Sequence, residues 1–330
     1  MKKIDAHAHI VKAVAGFNKK GRMTPLGNGK VIWDDGDVTQ LFPEGYGDTE
    51  FTAESFLRLM DENGIEKSVL LQGHLHGYQN YYTYLAIKKY PERFIGAFSV
   101  DPYAKEALEI AQRYVEVLGF RAIKFEISED GGIHGYRNTN PFRLDADPFV
   151  TRLFNYLANY PGFVVTVDYG NWDQISHQPQ AIANLAKLYP NIDFVVCHLS
   201  FPHAATPERL KADLSMWKEY PNIYSDLSAI QDIDRPEDYP FPNSYKNVTI
   251  AKEILGAKRL IWGTDSPWSA TFNTYNELAT WLENVDIFTK EELEDVFYNN
   301  AQKVYFKPEA VKAIKESVDP ATAVSYTHLR

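Results

Sequence analysis

Along most of the chain, short runs dense in Val, Ile, Phe and Leu alternate with longer stretches whose apolar residues recur every three or four positions. The first pattern suits a buried strand, the second a helix with one apolar stripe. Strand-like runs fall at 3–9, 67–72, 94–100, 120–126, 163–168, 192–198, 223–227 and 259–264. Helical patterns occupy 53–63, 81–90, 104–118, 148–159, 179–189, 207–220, 247–255 and 273–282. Several helices stop at a Tyr-Pro pair (Tyr90-Pro91, Tyr160-Pro161, Tyr189-Pro190, Tyr220-Pro221), because proline pushes the residue before it out of the helical region. Eight strands alternating with eight helices over roughly 280 residues predict an α/β protein of the (β/α)8 TIM-barrel type. A doubly wound open sheet is the alternative, but no Gly-x-Gly-x-x-Gly follows the first strand.

Three stretches interrupt the alternation: 11–51 after strand 1, 127–147 after strand 4 and 228–246 after strand 7. All leave from the carboxyl ends of strands, where barrel active sites lie, and loops of this length read as lids or pocket walls. No linker divides the chain, so residues 1–308 are expected to form one barrel domain. Residues 309–317 can add a C-terminal helix, and 324–330 read as a disordered tail, so His328 is left out of the site.

The apolar fraction of 45% is ample for a full core. A net charge of -10, dispersed along the chain, argues against nucleic acid or an anionic membrane as partner. The single cysteine, Cys197, excludes an intrachain disulfide framework and fits a reducing compartment. Met1-Lys2-Lys3 leads straight into the first strand without a secretory signal, and no apolar stretch reaches a membrane span. A cytoplasmic protein acting on a small molecule is expected.

Candidate chemistry starts at Asp5-Ala6-His7-Ala8-His9. Alternate side chains of a strand share a face, so the two imidazoles stand side by side, an arrangement that suits a divalent metal. A barrel gathers its strand ends at one mouth, and the other strands end on polar groups too. Strand 2 ends near Gln72 and His74, strand 3 near Asp101, and strand 4 carries Lys124 and Glu126. Strand 5 ends at Asp168, strand 6 at Cys197-His198 and strand 8 at Thr264-Asp265. Ionisable groups are seldom buried without partners, so packing alone does not account for this convergence.

At these residues the chain resembles the amidohydrolase superfamily, and more narrowly its amidohydrolase-2 branch, which includes aminocarboxymuconate-semialdehyde decarboxylase. The resemblance rests on Asp-x-His-x-His at 5–9, a lone His198 closing strand 6, and Gly263-Thr264-Asp265-Ser266-Pro267-Trp268 at strand 8. Gly119 to Phe125 is similar to the branch's strand 4, and 291–305, with Tyr298-Asn299-Asn300-Ala301-Gln302, to its C-terminal helix. The resemblance covers about residues 3–307. It implies metal binding by His7 and His9, acid/base work by His198, and a contact of Asp265 with the metal or its water. It also implies one metal only, with Lys124 unmodified, and a homodimer by the habit of the family. The branch carries a metal-binding histidine at the end of strand 5, where this chain has Asp168. Either Asp168 is an oxygen ligand, or Glu126 completes the shell, or the metal is held weakly. Zinc is the expected ion, and an added oxygen ligand moves preference toward manganese or iron.

Tyr169, Trp172 and Trp268 follow site residues and can line the pocket. Arg137 and Arg143 can clamp a substrate carboxylate, or be solvated loop charges. His74, His76, His134, His177 and His203 read as loop surface. These features together suggest a metal-dependent hydrolase acting on an ester, lactone or amide of a small carboxylated substrate. A non-oxidative decarboxylase of an aromatic or unsaturated acid is the alternative, and an inactive barrel that binds a small acid is the third.

Overall fold

A computed structural model describes residues 1–18, 20–129 and 143–323. Arg137, His134 and the tail at 324–330 lie outside the described residues.

In chain order the strands are β1 (Ile4–Ala8), β2 (Phe17–Asn18), β3 (Gly21–Gly27), β4 (Lys30–Trp33), β5 (Val38–Gln40), β6 (Lys67–Leu70), β7 (Phe94–Gly96), β8 (Ala122–Glu126), β9 (Phe163–Asp168), β10 (Ile192–Val196), β11 (Ile223–Asp226) and β12 (Leu260–Ile261). Parallel ladders join β1, β6 and β7 in one sheet and β8 to β12 in another. Backbone contacts bridge both seams. Phe98 pairs with Ile123, and Lys124 N donates to Phe98 O at 2.8 Å. At the other seam Ala8 pairs with Ser266, Ala6 N donates to Trp262 O at 3.2 Å, and Asp265 N donates to His7 O at 2.8 Å. Parallel strands therefore succeed one another in chain order around the ring, with helices such as Ala53–Glu62 and Pro148–Leu157 between them, as expected of a (β/α)8 barrel.

The floor of the barrel is apolar. Ile4, Ala6, Val69, Ile95, Val164, Val195 and Ile261 pack on Ala301, Val304 and Phe306 of the segment that follows the last strand. The register between β1 and β6 shifts between Asp5 and Ala8. This irregularity lets Ala6 stay in the floor cluster while His7, the next residue, turns to the mouth. Asp5 points elsewhere: it accepts from Thr264 N at 2.9 Å, Thr264 Oγ1 at 2.6 Å and the Tyr275 hydroxyl at 2.9 Å. That carboxylate ties the first strand to the chain beyond the last.

Several sequence readings were too long at the mouth. The runs expected to 72, 100, 198 and 264 leave the ladder at Leu70, Gly96, Val196 and Ile261. Beyond those points the chain bends toward loops and keeps only isolated pairing, such as Phe98 with Ile123. The stretch 11–51 is not plain loop: β2 to β5 form a four-stranded antiparallel sheet in sequential order. Its strands bury few side chains, chiefly Met23, Val31 and Trp33, so the alternation that signals a strand is faint. The seventh helix runs Pro242–Leu255, beginning earlier than its periodicity suggests, with proline at its first turn.

Gly263 sits where the closing seam is tightest. A Cβ there would lie 2.8 Å from both N and Cβ of His7. Gly263→Ala is expected to destabilise the fold by about 1–3 kcal/mol through overpacking against backbone. A denaturation midpoint equal to that of the parent would contradict this.

Candidate functional site

The strand ends at the mouth adopt backbone conformations that L-residues avoid. His198, Leu199, Ser200 and Phe201 are all left-handed, with φ of 56°, 48°, 63° and 53°, and Ala229 and Asp265 join them at 55° and 57°. Each costs roughly 1 kcal/mol or more. Hydrogen bonds hold the turn after β10 in place. The Ser200 hydroxyl donates to Asp213 Oδ2 at 2.6 Å, the Tyr169 hydroxyl lies 2.5 Å from Ser200 Oγ, and His177 Nε2 lies 3.0 Å from Asp213 Oδ2. The result aims the His198 ring across the mouth, its centroid 4.8 Å from that of His7.

His7, His9 and Asp265 are buried, and each offers a ligand atom within 4.8 Å of the others. The Asp265 Oδ1 atom lies 3.0 Å from His9 Nε2 and 3.4 Å from His7 Nε2. Both rings are anchored by their other nitrogen. His7 Nδ1 meets Asp226 Oδ2 at 3.0 Å, and His9 Nδ1 meets the Leu71 carbonyl at 3.0 Å. Those partners accept, so the Nδ1 atoms carry the protons and the Nε2 lone pairs face Asp265. Burial keeps the rings neutral: it lowers the pKa of His7 to about 4, outweighing the nearby Asp226, and lowers that of His9 as well. Burial opposes charge on Asp265 too, but the charge of the His198 ring across the mouth helps to hold its carboxyl well below the usual range. Two lone pairs and a carboxylate thus converge, and His7 Nε2 has no hydrogen-bond partner among the described residues. Such a set fits a divalent cation. His7, Cys197 and His198 form a second cluster of potential ligands, but burial raises the Cys197 thiol well above its ordinary pKa and leaves it protonated.

Asp168 falls outside the His7/His9/Asp265 set. Its Oδ2 lies 3.5 Å from His198 Nε2, while His198 Nδ1 faces the Ser228 carbonyl at 2.9 Å. Burial alone would lower the His198 pKa; the hydrogen bond and charge of Asp168, with Asp265 and Asp226, raise it to about 10. This direction favours the protonated ring. Glu126 also lies outside that set, its Oε2 3.4 Å from Lys124 Nζ. Burial disfavours the Lys124 ammonium, yet Glu126 and the other acids around it keep its pKa above the ordinary lysine value.

These groups open into a cavity of about 530 Å³ lined by His9, Lys124, Glu126, Asp168, His198, Asp265 and Trp268. Tyr169 and Trp172 are not part of the lining. The first is tied to Ser200, and the second lies under the Arg209 guanidinium at 3.6 Å. Arg143 pairs with Asp145 on the surface, at 2.6 Å. His177 is bound to Asp213, and His203 lies 3.2 Å from both Asp234 and Asn171.

His76 corrects the sequence reading. It is 3% exposed, lines the cavity beside His9, and neither ring nitrogen has a hydrogen-bond partner among the described residues. Asp226, which orients His7, was also missed, although its place at the end of the seventh barrel strand could have singled it out. The cavity wall further includes Asn18, Lys20, Trp33 and Thr39 from the β2–β5 insertion, and Asp232 and Arg235 from the loop after β11.

The family model described as amidohydrolase, Amidohydro_2, matches residues 4–307, and the chain belongs to that family. Solved structures share the fold at low identity. A probable 2-pyrone-4,6-dicarboxylic acid hydrolase from Acinetobacter baumannii, with citric acid bound, is 17% identical, with a TM-score of 0.65 over 93% of this chain and 100% of that one. An amidohydrolase from Burkholderia multivorans with bound zinc is 15% identical, with a TM-score of 0.68 over the same shares, 93% and 100%. The 5-carboxyvanillate decarboxylase LigW from Sphingomonas paucimobilis is 13% identical, with a TM-score of 0.54 over 76% of this chain and 82% of that one. Among curated proteins, Protein fluG of Emericella nidulans is 23% identical over 147 residues, 40% of this chain. The match spans only 15% of that protein's length. Among the described residues no helix is long and apolar enough to cross a membrane.

The buried histidines set a pH dependence for chelator-treated protein. His7 and His76, whose pKa values burial lowers to about 4 and about 3, favour folding fully above 6.5 and lose that contribution as pH falls below it. His198, raised to about 10, contributes below 6.5 and loses it as pH rises toward 10. Stability is expected to peak near pH 6.5 and to fall by roughly 3–5 kcal/mol per group across these windows. His76→Phe should flatten the acid limb of the urea midpoint against pH; an unchanged limb would contradict the assignment.

Proposed function

We propose that the protein is a metal-dependent hydrolase that opens an ester, lactone or amide bond of a small carboxylated substrate. The observation that carries this reading is the unpartnered His7 Nε2, buried beside His9 and facing the Asp265 carboxylate. His7, His9 and Asp265 would hold one divalent ion, and two imidazoles with one carboxylate suit zinc. When bound, such an ion polarises a carbonyl and lowers the pKa of water toward neutrality.

The protein's own groups supply the proton traffic. The oxygens of Asp265 accept the proton of the attacking water at the centre of the mouth. His198, charged beside Asp168, donates its Nε2 proton to the leaving oxygen or nitrogen. Asp226 keeps the His7 ring oriented through Nδ1. Lys124 offsets the acids and contributes positive potential toward a substrate carboxylate. The low-identity relatives titled as a pyrone dicarboxylic acid hydrolase and a zinc-bound amidohydrolase support this reading. So does the acid observed with the former.

A charged His198 also suits protonation of carbon, and that observation favours the second reading, a non-oxidative decarboxylase. The relative named as a 5-carboxyvanillate decarboxylase supports that alternative. Incubation with a panel of lactones and hydroxybenzoates, with detection of acid and of carbon dioxide, separates the two. Acid release without carbon dioxide is expected; carbon dioxide release would transfer the assignment to the second reading.

Residue roles are separable. Elemental analysis should find His7→Ala below about 0.2 metal per chain against about one in the parent, since the site would retain only two ligands. His198→Asn should keep its metal and lose about 10²–10⁴-fold in kcat. Full turnover in His198→Asn would remove that ring from the chemistry.

A further inference from the structure

His76 is held deep in the mouth by the packing of its turn. Its carbonyl accepts from Ala15 N at 3.0 Å and from Gln79 Nε2 at 3.2 Å. Glycines make the approach of the β2–β5 insertion close enough for this. A Cβ on Gly16 would lie 1.9 Å from the Leu75 carbonyl oxygen, and one on Gly77, at φ +79°, 2.7 Å from that of Ala15. The turn is therefore clamped between the insertion and the barrel, with the ring buried at the cavity wall.

The ring lines the cavity with its centroid 5.2 Å from that of His9, yet it is not part of the cluster formed by His7, His9 and Asp265. Neither of its nitrogens has a partner, and no carboxylate is bonded to it. It is a neutral imidazole with one N–H and one lone pair, both waiting for a ligand. A carboxylate or phosphate offers acceptors only and would leave the lone pair unsatisfied. The two nitrogens face different directions and need separate partners; a hydroxyl can donate to the lone pair, which an acceptor-only group cannot, while the N–H can take any acceptor. The acid end of the same ligand is served elsewhere, by Lys124 and Arg235 in the cavity wall.

We propose that His76 is a specificity-determining residue that binds a hydroxyl group of the substrate, so that the cavity takes small hydroxylated carboxylic acids and their esters or lactones in preference to unhydroxylated ones. This rests on the reading above that a carboxylated substrate occupies the metal-side cavity.

Succinate, malate and tartrate differ only in the number of hydroxyls and serve as probes. Isothermal titration of zinc-loaded protein should give a Kd that tightens at least fivefold with each hydroxyl. In His76→Phe the series should flatten to within twofold, and His76→Ala, which removes both nitrogens without adding bulk, carries the same expectation should the larger ring prevent folding. His76→Asn, which keeps one donor and one acceptor, should restore part of the preference. A flat series in the parent protein, no binding of any of the three acids, or the same hydroxyl preference in His76→Ala would overturn the proposal. Zinc content is measured on every sample. A hydroxyl preference that survives in protein unable to hold zinc supports the role of His76 and sinks the metal reading instead.

Discussion

The carboxylate of Asp265 faces the lone pairs of two imidazoles at 3.0 and 3.4 Å, and neither ring has a proton to offer it. Acceptors so placed repel, and burying an unsatisfied one costs about 1–3 kcal/mol. The fold nevertheless specifies this arrangement at several levels. The shift in register on β1 turns His7 toward the mouth, Asp226 and the Leu71 carbonyl fix the two tautomers, and Asp265 N is held by the carbonyl of His7 itself. Asp5 then locks the two chain ends that carry the three groups. A local arrangement that is unfavourable alone, maintained by so many independent contacts, is one that a positive charge placed among its atoms would stabilise.

The same economy explains the backbone of the mouth. Left-handed residues at 198–201, 229 and 265 stand at the ends of three consecutive barrel strands, not at random in loops. A strand that simply ran on would carry its terminal side chain alternately inward and outward. Reversing the backbone at the last residue instead points His198 and Asp265 toward a common centre. The Tyr169–Ser200–Asp213–His177 chain of hydrogen bonds offsets part of this strain from outside the cavity. Two residues suspected of lining the site or sitting on the surface thus support it from behind.

Much of the barrel was legible because a parallel strand buried on both faces needs an unbroken apolar run, and each such run shows in the sequence. The His7–His9–Asp265 trio was legible for a related reason: charged or imidazole groups at the ends of apolar runs have no packing role to explain them. Other parts were hidden. The β2–β5 sheet buries too few side chains to show a period of two. His76 looks like any loop histidine, since its burial depends on a turn clamped between two glycines and on contacts with residues sixty positions earlier. Asp168 had the right residue type at the right strand end, but nothing in the pattern says which of several neighbours at a crowded mouth it will face.

That choice of neighbour carries consequences for the chemistry. A histidine at the end of β9 would add a neutral nitrogen to the mouth and no negative charge beside His198. Asp168 instead brings a negative charge to 3.5 Å from His198 Nε2 and, with Asp265 and Asp226, keeps the ring protonated. The carboxylate thereby converts His198 from a group that can take a proton into one that begins with a proton to give. On the hydrolytic reading proposed above, the base would be found elsewhere, at Asp265, whose carboxyl is held below the usual range. The two carboxylates stand apart in the ring: Asp168 at the end of β9 lies beside His198, while Asp265, three strands further round after β12, lies beside the histidine pair.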